Sequence, residues 1–169
     1  MENSKQKILI TGASSGLGRE LAHQYAQKGN VELILVARRK EALEKVAKKC
    51  EAFENVKTRV YSVDIGSQEQ VEHLLSSIKD IDILINGAGY GIMKDFSEFS
   101  DHDVVNMFDT NVIGTIQLTT EIAKRMREKK SGTIVTIASL AGKIATPKSS
   151  VYSATKFALI GYFNSLRLE

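Results

Sequence analysis

The chain has 169 residues, 43% of them hydrophobic, a formal net charge of +3 and a single cysteine. That is enough apolar chain for one domain with a buried core, and acidic and basic residues interleave too evenly to leave the basic face that nucleic acid requires. No apolar run is long enough to span a bilayer, the N-terminus lacks the hydrophobic region of a signal peptide, and Cys50 has no partner for an intramolecular disulfide. A cytoplasmic protein with no membrane partner is expected.

Strand and helix patterns alternate from end to end, with no repeat or linker. The β-branched run before Thr11 stops at a turn carrying Gly12, Gly16 and Gly18. Leu17, Leu21, Ala22, Tyr25 and Ala26 follow at helical spacing, toward a C-cap at Gly29. Residues 31–37 read as a strand covered on both faces, residues 40–52 as a helix with Cys50 on its apolar side, and residues 56–63 as a third strand. Ser67 and Gln70 have the spacing of a capping box ahead of a helix through Val71, Leu74, Leu75 and Ile78. Residues 81–86 predict a short buried strand. Ser100 and Asp103 then cap one long helix through Val104, Phe108, Val112, Ile116 and Met126, which ends in a solvated basic run near Gly132. Residues 133–139 predict the fifth strand, and a last helix begins near Ser150. His73 and His102 fall on solvated helix faces, and no metal site is expected.

This alternation implies parallel strands joined by right-handed crossovers. The expected fold is a single α/β domain over residues 1–169, a Rossmann-like, doubly wound sheet of five strands in the order 3-2-1-4-5. Ligands of such sheets lie beyond the C-terminal strand ends. The informative residues fall there: the glycine turn after the first strand, then Arg38, Asp64, Asn86 and Ser139 after the next four.

The glycine turn aims unpaired backbone N–H groups and a helix dipole at one point, an arrangement suited to a diphosphate. Its G-x-x-x-G-x-G spacing differs from the commoner G-x-G-x-x-G, and a βα turn that binds nothing can share it. Arg38 stands twenty residues beyond Gly18, where a carboxylate would hold an adenine ribose 2′-hydroxyl. A guanidinium there, next to Arg39, pairs instead with a 2′-phosphate, which favours NADP(H) over NAD(H) as cofactor. Tyr152 and Lys156, four residues apart, share one helix face. An unperturbed phenol titrates near ~10, and an ammonium within about 4–6 Å lowers such a value by about 1–3 units. Lys156 would thus bring Tyr152 toward the range of a working acid or base, and Ser139 is positioned to hydrogen-bond a carbonyl or alcohol.

Together, Thr11-Gly12-Ala13-Ser14-Ser15-Gly16-Leu17-Gly18, Asp64, Asn86-Gly87-Ala88-Gly89, Asn111, Ser139 and Tyr152-Ser153-Ala154-Thr155-Lys156 resemble the short-chain dehydrogenase/reductase family over essentially the whole chain. The resemblance implies an oxidoreductase that passes a hydride between NADP(H) and a small-molecule carbonyl or secondary alcohol. It implies Tyr152 as the proton donor or acceptor, Ser139 as the group steadying the reacting oxygen, and Lys156 as a ligand of the nicotinamide ribose. Asn111 would hold, through its backbone, a water that relays protons to Lys156. Gly12, Ser14, Ser15, Gly16, Leu17 and Gly18 would take the diphosphate, Asp64 with Ile65 the adenine, and Asn86, Ala88 and Gly89 the adenosine side. A homo-oligomer through the long fourth helix and the Tyr152 helix is also implied.

Two features depart from the family pattern. Gly87 stands where a second asparagine is usual; the first, matched by Asn86, is the one expected to brace the sheet, so a modest local loss of rigidity is expected. The chain also ends at Leu166-Arg167-Leu168-Glu169 in mid-helix, whereas family members continue through two more strands and a helical lid. A piece of a longer protein is therefore expected, with its fifth strand a long, β-branched open edge. A cofactor-binding module without turnover is the alternative to an enzyme, and the intact Ser139, Tyr152 and Lys156 favour the enzyme. The substrate is not legible: Ile92, Met93, Phe96 and Ile144 suit an apolar pocket wall and ordinary core equally.

Overall fold

Continuous apolar runs at Ile8, Leu9 and Ile10 and at Leu33, Ile34, Leu35 and Val36 are possible in a strand only if both faces are covered, because successive side chains point to opposite sides. The computed structural model describes residues 5–169, and residues 1–4, part of the N-terminal stretch read above, lie outside the described residues. Strands β1 (Gln6–Thr11), β2 (Val31–Ala37), β3 (Val56–Ser62), β4 (Ile83–Asn86) and β5 (Thr133–Thr136) form one parallel sheet in the order β3-β2-β1-β4-β5. The helices are α1 (Gly16–Lys28), α2 (Lys40–Cys50), α3 (Gln68–Ser77), α4 (Asp101–Phe108), α5 (Gly114–Glu128) and α6 (Ser150–Leu166). The architecture is Rossmann-like and doubly wound, in the expected strand order.

Each run divides itself between two cores. Ile8, Ile10, Leu33 and Leu35 pack with Ala22 and Ala26 of α1 and with Leu43, Val46 and Cys50 of α2. Leu9, Ile34, Val36 and Leu84 face the other way, onto Val71 and Leu74 of α3 and Leu118 and Ile122 of α5. Burying one such side chain completely contributes about 1.5–3 kcal/mol, so the period-two division of β1 and β2 holds helices on both faces.

The local signals held in most places. Gly29 ends α1 at φ +69 and donates its N–H to Ala26 O. Ser100 and Asp103 form a reciprocal capping box on α4. His73 and His102 are exposed. Four expectations need correction. Ser67 accepts from Gln70 N, but the Gln70 side chain turns away to accept from Asp64 N at 2.8 Å, so the box at α3 is half formed. The long fourth helix is interrupted by a π-helical turn, Asp109–Ile113, where Gly114 N donates to Asp109 O five residues back. Strand β5 has four residues and not seven, because its partner β4 ends at Asn86 and leaves little to pair with; the open edge is short. The basic end of α5 is not simply solvated: Lys129 Nζ donates to Ile81 O at 2.8 Å and to Asp82 Oδ1 at 2.9 Å, while Arg125 donates to Leu75 O and Ile78 O. The Arg125 bonds satisfy carbonyls at the end of α3 that the helix itself cannot pair, and the Lys129 bonds hold the segment that leads into β4.

Candidate active site

The C-terminal ends of β1 and β4 meet through Thr11, 2% exposed, whose Oγ1 accepts from Gly87 N and Ala88 N, each at 3.1 Å. The backbones here approach so closely that no side chain fits between them. A Cβ on Gly12, at φ +70, would fall 2.5 Å from Gly87 O, and one on Gly87 would fall 2.7 Å from Thr11 O. Gly87 therefore stands where the two strand ends approach closely, with its N–H held by Thr11.

Beyond these strand ends opens a cleft of about 390 Å³. Its walls include Gly12, Ser14, Ser15, Gly16, Leu17 and Gly18 from the glycine turn, Arg38 after β2, Asp64 and Ile65 after β3, and Ala88 and Gly89 after β4. Helix α1 points its N-terminus into it. Ser15 occupies the cap position without a side-chain cap hydrogen bond, and the first turn carries no acid, so among the described residues the helix itself supplies neither a cap for its free N–H groups nor a charge against the positive end of its dipole. Such an end is suited to an anion.

Arg38 Nη1 lies 3.9 Å from Asp64 Oδ2 across the cleft, with side chains 65% and 37% exposed. Arg39 donates from Nη2 to Ser14 Oγ at 3.2 Å, which sets a second guanidinium on the glycine turn. Sequence reasoning left Arg39 out of the site, although its place beside Arg38 was the available signal. Tyr90, Thr110 and Ile137 also line the cleft and were not anticipated.

Asn86 is different. Its side chain is 3% exposed and turned into the sheet, where Nδ2 donates to Thr119 Oγ1 at 2.9 Å and Thr136 Oγ1 at 3.2 Å. It joins β4 to β5 and α5 rather than lining the cleft, and its buried Oδ1 has no partner among the described residues.

Ser139, Tyr152 and Lys156 do not line this cleft but sit beside it, where Gly89 and Gly91 of the loop after β4 face two side chains of α6. A Cβ on Gly89 would lie 3.5 Å from Lys156 Nζ, and one on Gly91 would meet the Tyr152 ring at 2.9 Å. Lys156 Nζ sits 5.6 Å from the centre of the Tyr152 ring and donates to Ile137 O at 3.4 Å. Lys156 is 5% exposed, and burial pushes its ammonium below the usual lysine range. Ser139, after β5, opens a single turn, Leu140–Gly142, and accepts from Ala141 N at 3.2 Å. That turn packs on α6: a Cβ on Gly142 would come 2.8 Å from Lys156 O.

Asn111, fully buried in the π-helical turn, grips the loop after β4. Its Oδ1 accepts from Tyr90 N at 3.0 Å, and its Nδ2 donates to Tyr90 O at 2.8 Å and Thr155 Oγ1 at 3.1 Å. No periodicity signal marked the π turn, because the apolar stripe runs through it. A π turn takes carbonyls out of the regular i→i+4 ladder, which frees backbone acceptors for other partners.

Residues 6–169 match the family model described as short chain dehydrogenase. The chain is 35% identical over 167 residues to the NADP-dependent 3-hydroxy acid dehydrogenase of Schizosaccharomyces pombe, covering 96% of this chain and 64% of that protein. It is 38% identical over 169 residues to human dehydrogenase/reductase SDR family member 7, covering 96% of this chain and 50% of that one. The chain thus spans about half to two-thirds of the length of these relatives. Among solved structures, it superposes on the bulky-bulky ketone specific alcohol dehydrogenase from Comamonas testosteroni with a TM-score of 0.92 at 28% identity, covering 98% and 68% of the two chains. A short-chain dehydrogenase from Sphingobium yanoikuyae in complex with NADPH gives 0.90 at 30% identity, covering 96% and 65%. The chain belongs to the short-chain dehydrogenase family.

Proposed function

We propose that this protein is an NADP(H)-dependent oxidoreductase that interconverts a carbonyl compound and a secondary alcohol. The observation that carries the proposal is the adjacency of two features: a cleft with an uncapped helix N-terminus, Arg38 and Arg39, and next to it Lys156 beside the Tyr152 ring, which meets the cleft wall at Ile137 and Gly89. The first part suits a diphosphate and a 2′-phosphate; the second suits proton transfer at an oxygen. The dehydrogenase from Schizosaccharomyces pombe and the NADPH complex from Sphingobium yanoikuyae support the choice of NADP(H) by likeness.

When bound, the nicotinamide supplies or accepts the hydride at the carbonyl carbon. The residues of this chain handle everything else. In reduction Tyr152 gives its phenolic proton to the carbonyl oxygen, and in oxidation it takes that proton back from the alcohol. Ser139 donates a hydrogen bond to the same oxygen. The Lys156 ammonium stabilises the negative charge left on Tyr152 and binds the nicotinamide ribose. Asn111, its side chain committed to Tyr90 and Thr155, is left with its backbone to hold the water that returns protons toward Lys156.

Met93, Phe96 and Ile144, and with them Leu140, are 61–80% exposed, which removes them from the core and leaves them available to an apolar substrate body, whereas Ile92 is half-buried. Val105, Ile113 and Phe157 are 47–54% exposed on the fourth-helix rod and α6, and these faces would meet in a homo-oligomer. The buried free thiol accords with a reducing cytoplasm.

The test is Tyr152→Phe in the full chain. Turnover is expected to fall by about 10²–10⁴-fold while NADPH affinity stays as in the wild type. Full turnover in that variant removes Tyr152 from the reaction. Tight NADPH binding by a wild type that reduces no carbonyl would leave a cofactor-binding module instead.

A further inference from the structure

We propose that Thr155 is a positioning residue whose hydroxyl ties the Tyr152 helix to the cofactor cleft through Asn111; this rests on the reading of Tyr152 as the proton-transfer group. Thr155 is fully buried. Its Oγ1 donates to Tyr152 O at 2.7 Å and accepts from Asn111 Nδ2 at 3.1 Å. A helical threonine bonding its own preceding turn is ordinary. The second bond is not, because it reaches a residue 44 positions away that holds both backbone groups of Tyr90.

The hydrogen inventory allows one arrangement. Asn111 Oδ1 is taken by Tyr90 N–H, and the two Nδ2 protons go to Tyr90 O and Thr155 Oγ1. Thr155, accepting there, has a single proton left, and it goes to Tyr152 O. A fully satisfied buried chain of this kind holds one geometry. What it holds is relevant to catalysis: Tyr90 lies between Gly89, where a Cβ would fall 3.1 Å from Asn111 Oδ1 and 3.5 Å from Lys156 Nζ, and Gly91, against which the Tyr152 ring packs. The Asn111 amide grips the loop on which both side chains rest, and Thr155 anchors that amide to their helix. Removing the hydroxyl frees the loop to shift relative to α6 without touching the cleft at the glycine turn.

Two matched pairs read the hydroxyl in the full chain: Thr155 against Thr155→Val, which keeps the branched shape, and Thr155→Ser against Thr155→Ala. In each pair the variant lacking the hydroxyl is expected to lose about ten- to hundredfold in kcat, with unchanged NADPH affinity, and Thr155→Ser is expected to retain most of the wild-type kcat. Hydrogen exchange at the Tyr90 amide should accelerate in the same two variants and stay slow in Thr155→Ser. Wild-type kcat in Thr155→Val, loss in Thr155→Ser equal to that in Thr155→Ala, or unchanged Tyr90 exchange overturns the proposal. If Thr155→Val does not fold, the serine–alanine pair decides. If both hydroxyl-free variants lose the fold while Thr155→Ser keeps it, the hydroxyl serves folding, and the proposal is also overturned. A wild type without turnover refutes the assigned activity alone, and exchange at Tyr90 then decides the brace.

Discussion

Replacing Arg38 with aspartate should separate the two nicotinamide cofactors, and the structure sets the size of the effect. The Arg38–Asp64 pair is long, 3.9 Å, and both side chains are solvated at 65% and 37% exposure. Such pairs contribute about 0–1 kcal/mol, so losing it should not weaken NADH binding appreciably, and the new carboxylate is of the kind that holds an adenine ribose 2′-hydroxyl. A hydrogen bond to a charged group is worth about 1.5–3 kcal/mol, and the exposure of Arg38 places its bond to a 2′-phosphate at the low end. The introduced carboxylate adds repulsion of about 1 kcal/mol, as for like charges some ångströms apart in water. The sum, about 2.5 kcal/mol, corresponds to a loss of about 60-fold in NADPH affinity. Arg39, still bound to Ser14, keeps the loss from being complete. The chain contains no tryptophan, so nicotinamide fluorescence can be titrated without indole overlap. Equal losses for NADPH and NADH would take Arg38 out of the phosphate site and with it the basis for preferring NADP(H).

Three other perturbations test separate parts of the account. A Cβ on Gly114 would stand 1.7 Å from Ile65 O, so Gly114→Ala should cost about 3 kcal/mol or more, seen as a lower midpoint in urea denaturation; an unchanged midpoint would contradict that packing. Cys50 is fully buried, with its thiol pushed up to about 11 by burial and by Glu51, so thiol reagents at pH 8 should label it only after unfolding. Asp103 is held well below the carboxylate range by Lys94, at 2.6 Å, and by the hydroxyl and N–H of Ser100. A carboxylate with a depressed folded value contributes stability above its unfolded value, about 3.9, and loses it as pH falls through the folded one. Asp103→Asn should therefore flatten the acid limb of a stability–pH curve below about pH 4, and an unchanged limb would show that the pair does not act in solution.

How legible the fold was depended on the range of the signal. Residues 31–37 were read as one doubly covered strand, and β2 has those bounds, because an apolar run of that length leaves few local alternatives. Gly29 and the Ser100–Asp103 box were equally local and equally legible. Gln70 was misread because Asp64 N, six positions back in the turn after β3, competes for its side chain, and the capping-box spacing carries no sign of that competitor. The fourth helix was misread because a π turn leaves the apolar stripe intact. In the site, Arg38 and the glycine turn could be named from spacing alone, whereas the reach of Arg39 to Ser14 spans 25 positions and has no spacing rule.

Composition and periodicity by themselves determined the alternation of strands and helices, the parallel sheet, and the strand ends that carry chemistry, since each follows from residues within a few turns of one another. Tertiary structure alone decided how those ends meet: Thr11 holding Gly87 from 76 positions away, and Asn111 holding Thr155 across 44. Hydrogen bonds of this kind depend on where the backbone of another element arrives, to within tenths of an ångström. Packing sets that, and no residue pattern encodes it locally.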